Sequence, residues 1–253
     1  MSADYRIVIT ARMASQRLPG KPLLDIAGRP LLEHVYRQAR KSGAGGIVIA
    51  TDDRKIEQAA AAFGAEVLMT SPSHQSGSDR IAECADKLGW SDEQLIVNLQ
   101  GDEPLMPPAC LDQVAELLSG DPQADVASLF WPLDNAEDVT NPNVVKVVVD
   151  QSGLALYFSR SVVPYPRNWP DTKAALNSGI EWNRHIGLYA YRAGAVRAFA
   201  STQATALETA EKLEQLRFLE TGRRIRMQRA CAFIPAWVDT SGDLERVRHI
   251  LDG

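Results

Sequence analysis

Along the first half of the chain, the spacing of apolar residues alternates between two periods. Short apolar runs at Ile7-Val8-Ile9, Ile47-Val48-Ile49-Ala50-Thr51, Glu66 to Met69 and Gln94 to Leu99 read as buried strands. Between them the spacing becomes helical. Leu31, Leu32, Val35 and Tyr36 share a face of a helix predicted over Leu31 to Lys41, with Pro30 at its start and Gly43 as its stop. An alanine-rich helix is predicted from Arg54 to Phe63, ended by Gly64, and another from Asp79 to Leu88. A helix over Pro108 to Leu118 and a strand over Asp125 to Phe130 continue the series. This rhythm predicts an α/β fold, a mostly parallel Rossmann-like sheet with helices on both faces.

The second half breaks the pattern. Val144 to Val149 and Leu154 to Phe158 are strand-like, and Asp150-Gln151-Ser152-Gly153 between them predicts a hairpin. Arg160 to Trp182 has little periodicity, and an irregular stretch of that length reads as a lid or an interface element. Gly187 to Tyr191 predicts a strand. Leu207 to Glu220 predicts one amphipathic helix through Leu213, Leu216 and Leu219. A short strand over Ile225 to Gln228 and a helix over residues 242–251, capped by Ser241, complete the chain. With no repeat and no low-complexity linker, residues 1–253 read as a single domain in which 141–192 is an inserted hairpin subregion.

Composition narrows the classes. At 253 residues, 45% apolar and 23% charged, the chain suits a soluble globular protein. A formal charge of −5 argues against general nucleic-acid or anionic-membrane binding. No apolar run approaches the roughly 20 residues of a membrane span, and Met1 to Arg6 is too short and polar for a secretory signal. A cytoplasmic location is expected. Cys84, Cys110 and Cys231 lack CxxC spacing, which predicts free buried thiols and no disulfide framework or zinc site.

Against that acidic background the loop after the first strand stands out. It carries Arg12, Arg17 and Lys21, with Pro19-Gly20 as a turn. Ala11, Ala14, Ser15 and Gly20 keep its backbone N–H groups open to an anion. Such a loop is either a solvated basic surface or a polyanion cradle, and its place beyond a strand's carboxyl end favours the cradle. In Asn98-Leu99-Gln100-Gly101-Asp102-Glu103-Pro104, an aspartate just past a central strand is placed to hold a hard divalent cation such as Mg²⁺, or forms a solvated turn. Asp239 sits at a strand-to-helix junction, as a cap or as a second carboxylate folding back beside Asp102. His74-Gln75-Ser76-Gly77-Ser78-Asp79-Arg80 can offer backbone groups to a base and hydroxyls to a ribose, or serve only as a helix cap. GxGxxG is absent, which disfavours a nicotinamide-dependent oxidoreductase.

These strings, in this order, resemble a known family. Ala11-Arg12-x-Ala14-Ser15-x-Arg17-Leu18-Pro19-Gly20-Lys21-Pro22-Leu23 is similar to the signature of CMP-sugar nucleotidyltransferases. The likeness continues through Ala50-Thr51-Asp52, the strings at 74–80 and 97–104, and Asn141-Pro142-Asn143-Val144-Val145-Lys146-Val147-Val148. It extends to Ala155-Leu156-Tyr157-Phe158-Ser159-Arg160, His185-Ile186-Gly187-Leu188-Tyr189, Leu213-Glu214-Gln215-Leu216-Arg217 and Val238-Asp239-Thr240-x-x-Asp243-Leu244-Glu245. Over nearly the whole chain it resembles the 3-deoxy-manno-octulosonate (KDO) cytidylyltransferases.

The resemblance implies CTP and KDO as substrates, CMP-KDO and pyrophosphate as products, Mg²⁺ as cofactor, a role in lipopolysaccharide or capsule synthesis, and a homodimer built through the hairpin region. It implies that Ala11, Arg12, Lys21, Gln75, Ser76, Gly77 and Arg80 meet CTP, that Asp102 and Asp239 hold the metal, and that Arg12, Lys21, Asp102 and Asp239 carry the chemistry. For the acid sugar it points to Arg17, Arg80, Gln100, Arg160, His185, Tyr189, Glu211 and Gln215. Departures stand at Thr10, where the family commonly has proline, at Met13, where it has an aromatic, and at Thr209-Ala210, where some members have His-Ile. They leave open a related acceptor, an 8-amino analogue of KDO or a nonulosonic acid. A non-catalytic nucleotide-binding protein is disfavoured by the retained cations and carboxylates.

Overall fold

The computed structural model describes residues 3–13, 17–74, 76–235 and 237–252. Its elements, in chain order, are β1 (Tyr5–Thr10), a 3-10 turn (Lys21–Leu23), β2 (Asp25–Ile26), β3 (Arg29–Pro30), α1 (Leu31–Ala39), β4 (Gly46–Thr51), α2 (Arg54–Ala62), β5 (Glu66–Met69), α3 (Gly77–Lys87) and β6 (Leu95–Gln100). There follow α4 (Pro108–Ser119), β7 (Val126–Leu133), α5 (Ala136–Thr140), β8 (Lys146–Val149), β9 (Ala155–Ser159), α6 (Thr172–Asn177), β10 (Trp182–Arg192), α7 (Ala193–Ala200), α8 (Ala206–Glu211), α9 (Gln215–Glu220), β11 (Ile225–Arg229) and α10 (Ser241–Asp252).

Among the described residues, nine strands form one sheet in the order β11-β7-β10-β6-β1-β4-β5, with β8 paired to β10 and β9 to β8. The pairs β6–β1, β1–β4, β4–β5 and β7–β11 are parallel, whereas β10 runs antiparallel to both of its neighbours in the main order. Period-two alternation splits β1 between two cores. Ile7 and Ile9 pack with Leu31, Leu32, Val35, Leu111, Val114 and Val247 on one face, and Val8 packs with Ile81, Ala85, Val196 and Phe218 on the other. The sheet is therefore covered on both sides, which is why its parallel strands are apolar runs and not alternating ones.

Boundaries moved where caps decided them. Ser76 Oγ accepts from Asp79 N–H and Asp79 Oδ2 from Ser76 N–H, each at 3.1 Å, so α3 begins at Gly77, ahead of the predicted Asp79. Thr240, not Ser241, caps α10: its Oγ1 accepts from Asp243 N–H at 3.2 Å, and Asp243 Oδ2 accepts from Thr240 N–H at 2.9 Å. The helix predicted over Leu207 to Glu220 is two helices, α8 and α9, broken at Lys212 with φ 54°. The stretch Arg160 to Trp182 contains α6, and β10 starts at Trp182, five residues before the predicted strand at Gly187. Trp182 is wholly buried with Leu133, Val139 and Ala175 in a third, smaller core. Helix α7 was not predicted. Residues 141–192 thus hold the β8–β9 hairpin, α6 and the interior strand β10. Cys84 and Cys110 are buried as expected, but Cys231 is exposed because it lies beyond the last residue of β11.

Candidate active site

The carboxyl ends of β1 and β6 are drawn tightly together. Gly101 N–H donates to Thr10 O at 3.0 Å, and a Cβ on Gly101 would meet Thr10 O at 3.0 Å and Ala11 Cβ at 3.1 Å. The lack of a side chain at Gly101 is what lets the two strand ends come this close. A cleft of about 1020 Å³ opens there, lined from β1 by Ala11 and Arg12, from β6 by Gln100, Asp102 and Glu103, and from the start of α3 by Ser76 and Gly77. Because β10 runs against its neighbours, its first half reaches the same edge and supplies Arg184 and His185. The segment before α10 closes the remaining side with Trp237 and Asp239.

Asp102 and Asp239, far apart in the chain, meet here. Asp102 O accepts from Val238 N–H at 3.0 Å, which seats the residue next to Asp239 against the end of β6. Asp243 Oδ2 accepts from Asp239 N–H at 3.2 Å and fixes the other flank. Between the two carboxylates lies the Lys21 ammonium, 2.8 Å from Asp102 Oδ2 and 3.5 Å from Asp239 Oδ1. Arg17 adds a second cation 2.6 Å from Asp239 Oδ2. Two acids and two bases balance the charge of this corner. Arg12 is exposed and makes no ion pair among the described residues, so its guanidinium is open to the cleft.

Asp102 Oδ1 is buried with no hydrogen-bond partner. A buried, orphaned carboxylate oxygen beside a second carboxylate fits a hard divalent cation, whose other ligands are phosphate oxygens and water. Among the described residues no cluster of three or more acidic, histidine or cysteine side chains forms an all-protein cage. Next to Asp102, burial and the Asp102 charge push the Glu103 carboxyl up to about 8, so it is largely protonated at neutral pH.

His185 is held neutral. Burial, assisted by the Arg184 charge, pushes its pKa down to about 3. Ser128 Oγ donates to Ile186 O at 3.0 Å and lies 3.2 Å from His185 Nε2. With its own proton committed, Ser128 can only accept there, so Nε2 carries the histidine's proton. Arg184 donates to Ile234 O at 3.1 Å, and burial lowers its pKa.

Arg80 lines the cleft but is almost fully buried. It pairs with Asp52 beyond β4 and donates to Thr70 Oγ1 at 2.6 Å beyond β5, bracing the carboxyl ends of those strands. Arg160, Tyr189, Glu211 and Gln215 do not line the cleft. Arg160 N–H and Ser159 Oγ donate to the Glu211 carboxylate at 2.9 and 2.6 Å, a latch between β9 and α8. Tyr189 stacks on Tyr191 and sits tilted against the His185 ring. Gln75, with Ala14 and Ser15 of the basic loop, lies outside the described residues.

The chain has full-length relatives among known proteins. Residues 6–225 match the cytidylyltransferase family. The 3-deoxy-manno-octulosonate cytidylyltransferase of Pseudomonas fluorescens is 49% identical over 253 residues, covering 100% of both chains. The chain belongs to the 3-deoxy-manno-octulosonate cytidylyltransferase family. Another cytidylyltransferase of that name, from Cellvibrio japonicus, is 48% identical over 98% of each chain. Among solved structures, a CMP:2-keto-3-deoxy-manno-octonic acid synthetase complexed with CTP superimposes with a TM-score of 0.90, at 40% identity over 99% of both chains.

Arg184 and Trp237 are cleft residues of this cytidylyltransferase that sequence reasoning did not single out. Arg184 had a usable signal, since it directly precedes the His-x-Gly-x-Tyr string. Trp237 had one in its contact with Val238-Asp239 along the chain, but nothing in its spacing separated it from a core aromatic.

Proposed function

We infer that this chain transfers CMP from CTP to KDO, releasing pyrophosphate, to supply activated sugar for lipopolysaccharide or capsule synthesis. One observation carries the reading: Asp102 and Asp239 converge on the Lys21 ammonium at the sheet edge, with an unpartnered Asp102 oxygen beside it. The acceptor's anomeric hydroxyl oxygen attacks the α-phosphorus, its proton passes to solvent water, and the bond from that phosphorus to the bridging oxygen breaks as pyrophosphate leaves. Arg12 binds phosphate oxygens through its planar fork, and Lys21 contributes a point charge as the triphosphate enters. Ala11, Ser76 and Gly77 line the nucleotide side, and Gln75 joins them in this proposal.

Asp102 and Asp239 would hold Mg²⁺, which when bound supplies charge neutralisation at the α-phosphate and a lowered pKa for the attacking hydroxyl. Neutral His185, its Nε2 proton directed at Ser128, can accept a hydrogen bond at Nδ1 without adding charge, alongside Gln100 and Arg17, on the acceptor side. Arg80 acts from behind the nucleotide wall. Arg160, Tyr189, Glu211 and Gln215 reach the sugar only if the segment around the β9–α8 latch moves. We further propose a homodimer built through the hairpin region, a role supported by the exposed Leu156 and Tyr165, and a cytoplasmic location.

The test is pyrophosphate release with Mg²⁺-CTP and a panel of acid sugars. KDO should be turned over with the highest kcat/KM. Preference for the 8-amino analogue or a nonulosonic acid would reassign the acceptor, and no release with any acid sugar would defeat the reading.

A further inference from the structure

Away from the cleft, the fold brings together two thiols that the transfer reaction does not use. Cys110, in the first turn of α4, is wholly buried, and Cys231, just past β11, is exposed. Their Sγ atoms are 3.7 Å apart. Closing that gap to a disulfide bond requires an approach of about 1.7 Å.

The contact is braced from both sides. Gln113, one turn beyond Cys110 on α4, accepts from Cys231 N–H at 2.8 Å and donates to Arg229 O at 2.8 Å. Ala230 N–H donates to Phe130 O at 2.9 Å, so the residue before Cys231 still follows the β7 ladder. Burial pushes the Cys110 thiol up to about 11, which leaves exposed Cys231 as the sulfur that an oxidant meets first. Cys231 also opens the segment that ends at Asp239. That segment is tied to the cleft through Arg184 on Ile234 O and Val238 N–H on Asp102 O.

We propose that Cys110 and Cys231 form a peroxide-oxidisable dithiol whose disulfide draws the 231–239 segment toward α4 and slows cytidylyl transfer. The Cys231 thiolate attacks one oxygen of hydrogen peroxide. The O–O bond breaks, hydroxide leaves, and Cys231 becomes a sulfenic acid, oxidised by two electrons. Cys110 sulfur then attacks Cys231 Sγ, the S–O bond breaks, and the Cys110 proton departs with the hydroxide as water. In sum, two thiols and one peroxide give one disulfide and two waters. The crosslink stands apart from the transfer chemistry, whereas the loss of rate rests on the role proposed for Asp239. Mass and rate are therefore read separately.

The chain is treated with hydrogen peroxide, quenched, and followed by peptide mass mapping and pyrophosphate release. The mass should fall by about 2 Da as two hydrogens are lost, with a peptide joining Cys110 to Cys231. Turnover should fall about tenfold or more, as for an ångström-scale displacement at a reacting centre, and dithiothreitol should restore it. Cys231→Ser should match the parent before peroxide and keep its rate afterwards. Cys110→Ala, which retains Cys231, should stop at a sulfenic acid that dimedone traps. Conversion of Cys231 to sulfinic acid with Cys110 left as a free thiol overturns the proposal. So does a crosslinked protein with undiminished turnover, or an equal loss of rate in Cys231→Ser.

Discussion

Lys21 shows how a single side chain sets the state of the site. Its ammonium, nearly buried, bridges Asp102 and Asp239, and with Arg17 it balances their charge. Asp102→Asn removes one charge from that balance without changing side-chain volume. We expect kcat to fall by at least about 10²-fold, the scale of losing one group that meets transition-state charge, with the urea midpoint little changed. Full activity in that variant would take Asp102 out of the mechanism. His185 offers a test by pH. Its folded pKa of about 3 lies below the ordinary 6.5, so its contribution to stability is present above pH 6.5 and is lost as pH falls toward 3. The stability difference between the parent and His185→Gln should shrink by at most about 1.4 kcal/mol per pH unit across that window, read by urea denaturation. A difference that stays constant would mean that the ring is charged in the fold. At this scale the sequence was informative about residue type and weak about partners. Arg12, Lys21 and Asp102 announced themselves by position after strands. The meeting of Asp239 with Asp102 depends on a backbone hydrogen bond from Val238, which no local pattern encodes.

Among the elements, the break between α8 and α9 is the clearest case of tertiary packing overriding periodicity. Leu213, Leu216 and Leu219 have helical spacing, yet Lys212 adopts φ 54° and turns the chain back. Arg217 spans the break with a two-pronged pair to Glu208, at 2.5 and 2.7 Å, and lies 3.8 Å over the Phe199 ring. That buried fork and the aromatic face hold the fold-back against the helix that the leucines alone would prefer. Lys212→Gly removes the left-handed penalty and should raise unfolding free energy by about 0.5–1 kcal/mol, measured by urea titration. A loss of stability would indicate that the lysine side chain contributes more than its backbone costs. The strands of the parallel half were legible because burial on both faces makes them continuous apolar runs. The first half of β10 was not, since Asn183, Arg184 and His185 interrupt the apolar pattern, the last two of them turned to the cleft.

For the whole molecule, the exposed Leu156 of β9 and the exposed Tyr165 beyond it mark the side of the hairpin as the proposed contact between two copies. Leu156→Asp should shift the sedimenting species from dimer to monomer at micromolar concentration; an unchanged coefficient would move the interface elsewhere. The strand β10 has a mechanical consequence of its own. It is laddered to β6 on one side and to β7 on the other, and it also carries β8. The floor of the cleft is therefore one continuous plate, and the two halves of the sheet cannot swing like jaws without tearing main-chain bonds.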